Sequence, residues 1–140
     1  MPATDPRPEE HDTAVDFVVS LPAVERSVPV GRRAITQACR RLGAGEPVVS
    51  KISLATSEAL TNAVLHAFPD GPGEVSASVR RDGDELEIVV ADNGRGLVTR
   101  SDSPGMGMGL GIIAEVSDRL AIVTDGRPGT ELHMWFRLRG

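Results

Sequence analysis

The sequence predicts an α+β sandwich in which a mixed, mainly antiparallel sheet is covered on one face by helices, and three observations lead there. Apolar residues alternate with a period of two in several short, separated stretches, the pattern of strands with one buried face. From about Pro47 to Ala67 the chain has no interior Gly or Pro and is apolar around most of a helical circumference, as expected of a helix buried on more than one side. Helical segments come early and late around the strands, the order that places helices on one side of an antiparallel sheet.

Residues 1–13 are rich in Pro, Asp and Glu without apolar periodicity and are expected to form a flexible arm before a domain spanning 14–140. Val15, Phe17, Val19 and Leu21 alternate along a first strand, which Pro22 closes. A helix is expected from about Ser27, a possible cap with Pro29 in the first turn, through Ile35, Ala38 and Leu42 to a stop at Gly43. An arginine-rich face on that helix, with Arg26, Arg32 and Arg33, is most simply a solvated one. The second helix, from Pro47 to Ala67, breaks at Phe68 to Gly73. Val75, Ala77 and Val79 mark a strand, Arg81-Asp82-Gly83-Asp84 a turn, and Glu85 to Ala91 the returning strand of a hairpin. A loop is expected from Asp92 to Met108 and a short helix from Leu110 to Arg119. The last two strands, Leu120 to Thr124 and Thr130 to Leu138, flank Asp125-Gly126-Arg127-Pro128-Gly129 and turn Leu132, Met134, Phe136 and Leu138 to one side.

Composition narrows the function. The 140 residues carry 20 acids and 15 bases, a net charge of -5, with one cysteine and 15 glycines. One core fits this length, and a large multi-domain kinase does not. An acidic balance disfavours bulk nucleic-acid binding, which needs clustered positive charge. Cys39 alone cannot build a disulfide framework, no apolar run is long enough to span a bilayer, and the first residues lack a secretory pattern. A cytoplasmic protein without membrane or direct nucleic-acid partners is the expectation. Lys51 is the single lysine, which weighs against any site that needs a lysine on phosphate.

The glycines pose the main question. No Gly-Lys-Ser/Thr loop is present, and Ile112 stands where a dinucleotide fingerprint would need its third glycine. What remains is Gly105-Met106-Gly107-Met108-Gly109-Leu110-Gly111, running into a helix. Glycines let backbone amides approach an anion closely, and a helix start adds free N–H groups and the positive end of its dipole. Such a segment can hold a polyphosphate, and it can equally be a plain linker. Asp92-Asn93-Gly94-Arg95-Gly96, after the second hairpin strand, is either an ordinary turn or a carboxylate placed to accept a hydrogen bond from an exocyclic amine beside a ring-sized gap.

Glu58, Asn62 and His66 recur at spacing four and share one helix face. Asn62 can offer an oxygen to a hard cation such as Mg²⁺, and Glu58, one turn earlier, can act as a general base. The alternative is a solvated polar stripe, and His66 fits a structural hydrogen bond better than catalysis. No His or Cys spacing suggests zinc.

Taken together, EALTNAVLHAF at Glu58 to Phe68, DNGRG at Asp92 to Gly96, GMGMGLGII at Gly105 to Ile113 and GT at Gly129 to Thr130 occur in the order of the N, G1 and G2 boxes of the GHKL ATPase superfamily. The chain most closely resembles its small anti-sigma factor serine kinases, whose fold is the Bergerat ATP-binding sandwich. The resemblance implies Asp92 as the acid that reads the adenine amine, Gly94 and Gly96 as the shape of that pocket, and Thr130 as a hydroxyl supporting adenine through water. It implies Asn62 as the Mg²⁺ ligand, Glu58 as catalytic base, and the segment from Gly105 to Gly111, with Met106, Met108 and Leu110 between its glycines, as the lid on the triphosphate.

The implied activity is transfer of the ATP γ-phosphate to a serine of a small anti-anti-sigma protein with a STAS domain, together with capture of a sigma factor by a homodimer. A lid without lysine would leave Arg95 or Arg100 to supply any cation. The competing readings are an ATP-binding module that captures a partner without turnover and, more remotely, a detached ATP-binding half of a two-component histidine kinase.

Overall fold

A computed structural model describes residues 14–67, 73–94, 104–124 and 129–138, with the backbone alone at 66–67 and 104–109. The elements run β1 (Phe17–Pro22), α1 (Ser27–Arg41), α2 (Glu46–Asn62) with a π-helical turn at Ala63–Ala67, β2 (Glu74–Asp82), β3 (Glu85–Asp92), α3 (Pro104–Val116), β4 (Arg119–Val123) and β5 (Thr130–Arg137). The sheet order is β1-β2-β3-β5-β4. Among the described strands every pairing is antiparallel, the antiparallel end of the mixed, mainly antiparallel sheet expected.

Alternation assigns the two faces of this sheet. Val75, Ala77 and Val79 of β2, Leu86, Ile88 and Val90 of β3, and Leu132, Met134 and Phe136 of β5 are buried under the helices. Phe17, Val19 and Leu21 of β1 pack against the same core, while Val18 between them stays exposed, as befits an edge strand. α1 lies on β1 and β2, α2 on β3 and β5, and α3 on β4. α2 sits centrally in this layer and touches both other helices, so Val48, Val49, Ile52, Ala55, Ala59 and Leu60 are all buried. Cys39 is buried with them, and burial pushes its thiol up to about 12 despite the opposing charge of Arg40, which leaves it unreactive near neutral pH.

The opposite face has no helix among the described residues, and it closes its charges internally. Arg80 bonds Glu87 at 2.7 Å, both ring nitrogens of His133 meet carboxylates, Glu87 at 2.7 Å and Glu131 at 2.9 Å, and Arg119 stacks over the Trp135 ring at 4.3 Å. Burial pushes the Glu87 carboxyl up, but the bonds from His133 and Arg80 outweigh it and hold it below the ordinary range.

Two local structures depend on contacts distant in sequence. α1 ends at Leu42, and Gly43 follows at φ 108, the left-handed residue that lets backbone N–H groups fold back on the last turn. Arg81 completes this stop: its Nη1 donates to the Leu42 carbonyl at 2.7 Å and its Nε to Gly83 at 2.8 Å, while its backbone N–H reaches Asp16 at 2.7 Å. The helix α3 also differs from the expected loop to Met108 and helix from Leu110 to Arg119. It starts at Pro104, whose fixed φ suits a first turn, and ends at Val116, with β4 beginning at Arg119. Leu110, Ile113 and Val116 anchor it to the core at a helical spacing of three, enough to carry the glycine-rich backbone before them as helix. Each glycine costs that helix about 1 kcal/mol relative to alanine, so its first two turns are its weakest.

Phe136 is 1% exposed and lies on the sheet face under the helices. Phe136→Ala is expected to lose about 3–5 kcal/mol of stability in urea unfolding, whereas Val18→Thr on the open face should change it by less than about 0.5 kcal/mol. Equal effects would contradict this assignment of the core.

Candidate functional site

Two strand ends and one helix end form the site. In the β3–β5 ladder Asp92 stands opposite Thr130, on the same face as Val90 and Leu132 and hence toward the helices. Thr130 is 3% exposed. Gly129, just before it, has φ 99, and a Cβ there would run into the Asp92 carbonyl oxygen and lie 2.7 Å from the Asn93 Cα. Only glycine allows β5 to begin this close to the end of β3.

Asp92 is held from its own turn as well as by the ladder. Its Oδ1 accepts the Gly94 N–H at 2.9 Å, an Asx turn that points the carboxylate back over the loop start. Burial pushes the Asp92 carboxyl above its ordinary value, and backbone N–H donors from Gly94 and Thr130 pull only part of the way back. A carboxylate with this mixture of burial and fixed donors is oriented and short of water, which suits recognition of an N–H donor from a ligand. A cavity of about 200 Å³ also opens beside Asp92, lined by Glu74, Val75, Ser76, Ala91, Asp92 and Asn93.

α2 supplies the second half. Asn62, its last residue, is 4% exposed, and its Nδ2 has no hydrogen-bond partner among the described residues. An orphaned amide at that depth costs about 1–3 kcal/mol. Glu58 is half-buried one turn earlier on the same face. The π-helical turn at Ala63–Ala67 follows Asn62 directly and packs on β3. Such one-turn widenings are frequent at functional sites.

Of the residues expected from sequence, Glu58, Asn62, Asp92, Gly94 and Thr130 lie on or beside the helix-covered side of β3 and β5. Gly105, Met106, Gly107, Met108 and Gly109 fall in the first turns of α3, where the backbone alone is described; Leu110 is half-buried and Gly111 has open space around its Cα. Gly96, Arg95 and Arg100 lie outside the described residues, as do the arm at 1–13 and the Asp125 to Pro128 turn. The His66 side chain is likewise outside the description. Lys51 is exposed on α2. The sequence offered either a turn or a ligand-facing carboxylate at Asp92, and the structure shows the turn, closed by that carboxylate itself.

A protein-family model described as "Histidine kinase-like ATPase domain" matches residues 21–136. The serine-protein kinase RsbW of Bacillus velezensis is 37% identical over 84 residues, which cover 59% of this chain and 52% of that protein. The serine-protein kinase RsbW of Listeria innocua is 34% identical over 79 residues, 56% of this chain and 50% of that one. The chain thus spans about half the length of these relatives. An anti-sigma F factor of Lysinibacillus sphaericus is 26% identical over 127 residues, 82% of this chain and 87% of that protein. A crystal structure of the RsbU and RsbW domains of a Mycobacterium tuberculosis protein shares the fold, with TM-score 0.64 and 22% identity over 86% of this chain and 32% of that one.

Because folding raises the proton affinity of Asp92, its contribution to stability is most favourable below the ordinary carboxylate value and is lost as pH rises through the raised one. At neutral pH the ionised group therefore weakens the fold. Asp92→Asn should leave Tm unchanged or higher while abolishing nucleotide binding in calorimetry. Loss of both fold and binding would make Asp92 structural, and retained binding would remove it from the site.

Proposed function

The chain belongs to the histidine kinase-like ATPase domain family, and on that premise we propose that it is a Mg²⁺- and ATP-dependent protein serine kinase and anti-sigma factor. Its substrate is a serine on an anti-anti-sigma protein of the STAS class. Its regulatory target is a sigma factor, captured in the cytoplasm by a homodimer. The names of its relatives, serine-protein kinase and anti-sigma F factor, support this reading. The observation that carries it is Asn62, a buried amide whose nitrogen has no partner among the described residues, one turn after Glu58 on the helix that packs over β3 and β5.

The donor set fits the expected ligands. Asp92 accepts the adenine exocyclic amine, which explains why its oxygens are oriented by Gly94 and Thr130 rather than paired with a base. Thr130, buried beside it, supports the ring through water. Asn62 is the residue to hold Mg²⁺: its side-chain oxygen suits a hard cation, which usually takes one or two protein oxygens and completes its shell with phosphates and water. Bound there, the metal supplies charge neutralisation for the phosphates, and no zinc-like cluster competes among the described residues. The glycine-rich start of α3, with its free N–H groups, lies over the triphosphate.

Glu58 acts on the acceptor. As the substrate serine oxygen bonds to the γ-phosphorus, the bond from that phosphorus to the bridging oxygen breaks, its electron pair leaves with ADP, and the hydroxyl proton passes to the Glu58 carboxylate. Positioning supplies most of the remaining rate, because phosphoryl transfer asks little covalent chemistry of the protein.

Incubation with γ-labelled ATP, Mg²⁺ and STAS-domain proteins is expected to label a serine, and Glu58→Gln to slow transfer about 10²- to 10⁴-fold with ATP affinity retained. Transfer unchanged by Glu58→Gln would overturn the assigned base. Tight ATP binding and partner capture without any transfer would overturn the kinase and leave a non-catalytic ATP-binding module.

A further inference from the structure

α2 has one narrow strip that the described residues leave uncovered. The sheet lies beneath this helix, and α1 and α3 pack on its two sides, so only its outer edge meets solvent. Lys51, Leu54, Glu58, Thr61 and Leu65 occupy that edge at spacings of three, four, three and four residues, which aligns them in one helical stripe. Lys51, Leu54 and Leu65 are exposed, and Glu58 and Thr61 are half-buried between them.

Leu54 is 44% and Leu65 55% exposed, and they are the exposed leucines among the described residues. Helix formation does not require them, since Glu, Lys or Gln serves a solvated helix position as well. A single exposed apolar residue is ordinary, but these two bracket Glu58. Leu54 lies one turn before it, about 6 Å along the axis, and Leu65 two turns after it, about 10 Å. Leu65 belongs to the π-helical turn at Ala63–Ala67, so the widened turn that follows Asn62 is also the one that presents this leucine.

We propose that Leu54 and Leu65 determine which acceptor the site phosphorylates, by receiving apolar side chains on either side of the acceptor serine. This rests on Glu58 being the base of the proposed function. A base works only within about 3 Å of the hydroxyl it deprotonates, so an acceptor that reaches Glu58 lies along this strip and covers a leucine at each end. An extended segment advances about 3.3 Å per residue, so apolar residues about two positions to one side of the serine and about three to the other meet Leu54 and Leu65. A site that only hydrolysed ATP would need no apolar flank to its base, because water brings no side chain to recognise. Burying the surface that the two leucines still expose strengthens acceptor binding. Asp92 and Thr130 stand at the strand ends beneath the helices, so nucleotide binding does not draw on these outer side chains.

The experiment follows transfer from γ-labelled ATP to a STAS-domain protein that the wild-type chain phosphorylates, as a function of acceptor concentration. Combined Leu54→Ala and Leu65→Ala, which keeps good helix formers at both positions, should raise KM for the acceptor about tenfold or more, with ATP affinity in calorimetry and Tm retained. Leu54→Met with Leu65→Met restores the apolar reach and should return KM close to that of the wild type. An unchanged acceptor KM in the alanine variant overturns the proposal. A lower kcat at unchanged KM, or an equal loss of ATP affinity, overturns it too, because the leucines would then support the chemistry or the nucleotide site. Absence of transfer by the wild type to any STAS-domain protein overturns the kinase reading and this inference with it, a result distinct from normal transfer by the alanine variant.

Discussion

The site rests on how closely β5 can begin beside the end of β3. Gly129 has no Cβ because the Asp92 carbonyl and the Asn93 Cα occupy that space, and its φ of 99 is one that side-chain-bearing residues rarely adopt. That single closeness sets Asp92 opposite Thr130. It also lets the Thr130 backbone donate to the Asp92 carboxylate, so the group proposed to read the ligand is positioned by main chain. A side chain at 129 would separate the strands at the point where they must meet.

α2 serves as core and, in the proposed function, as chemistry. Ile52, Ala55, Ala59 and Leu60 bury one side of it against the sheet and its neighbours, and that packing, with the Ala63 backbone N–H capping onto the Ala59 and Leu60 carbonyls, fixes Glu58 and Asn62. Asn62 keeps inside the protein an amide nitrogen with no partner among the described residues. The cost of about 1–3 kcal/mol is carried by the apolar residues around it, a local penalty of the kind that binding sites retain. The wider turn at Ala63–Ala67 then redirects the chain just after Asn62. On the far side of the sheet, Arg80, Glu87, His133 and Glu131 satisfy one another.

Much of this was legible in the sequence because it is periodic or local. Alternation at Val75, Ala77 and Val79, or at Leu132, Met134 and Phe136, assigned faces that burial confirms, and the apolar stretch from about Pro47 to Ala67, free of interior Gly or Pro, marked the central helix. The spacing of Glu58 and Asn62 needed only the helical period. What sequence could not show is what closes in space. Arg81 completes the end of α1 from 39 residues away, and the burial that raises the Asp92 carboxyl comes from the assembled fold. The glycine-rich segment misled for a physical reason: propensity favours loop there, but Pro104 and the anchors Leu110, Ile113 and Val116 draw the backbone into α3.

The central claim is that one nucleotide joins Asp92 at its base to Asn62 at its metal. Paramagnetic Mn²⁺ in place of Mg²⁺ with ATP tests it in one nuclear magnetic resonance titration, because line broadening falls steeply with distance from the metal. The account predicts that the Asn62 side-chain amide and the Glu58 signals broaden away first, that the Thr130 amide shifts but persists, and that ATP without metal shifts Thr130 alone. Broadening centred on the Asp82, Asp84 and Glu85 turn, or equal broadening at Thr130 and Asn62, would contradict it.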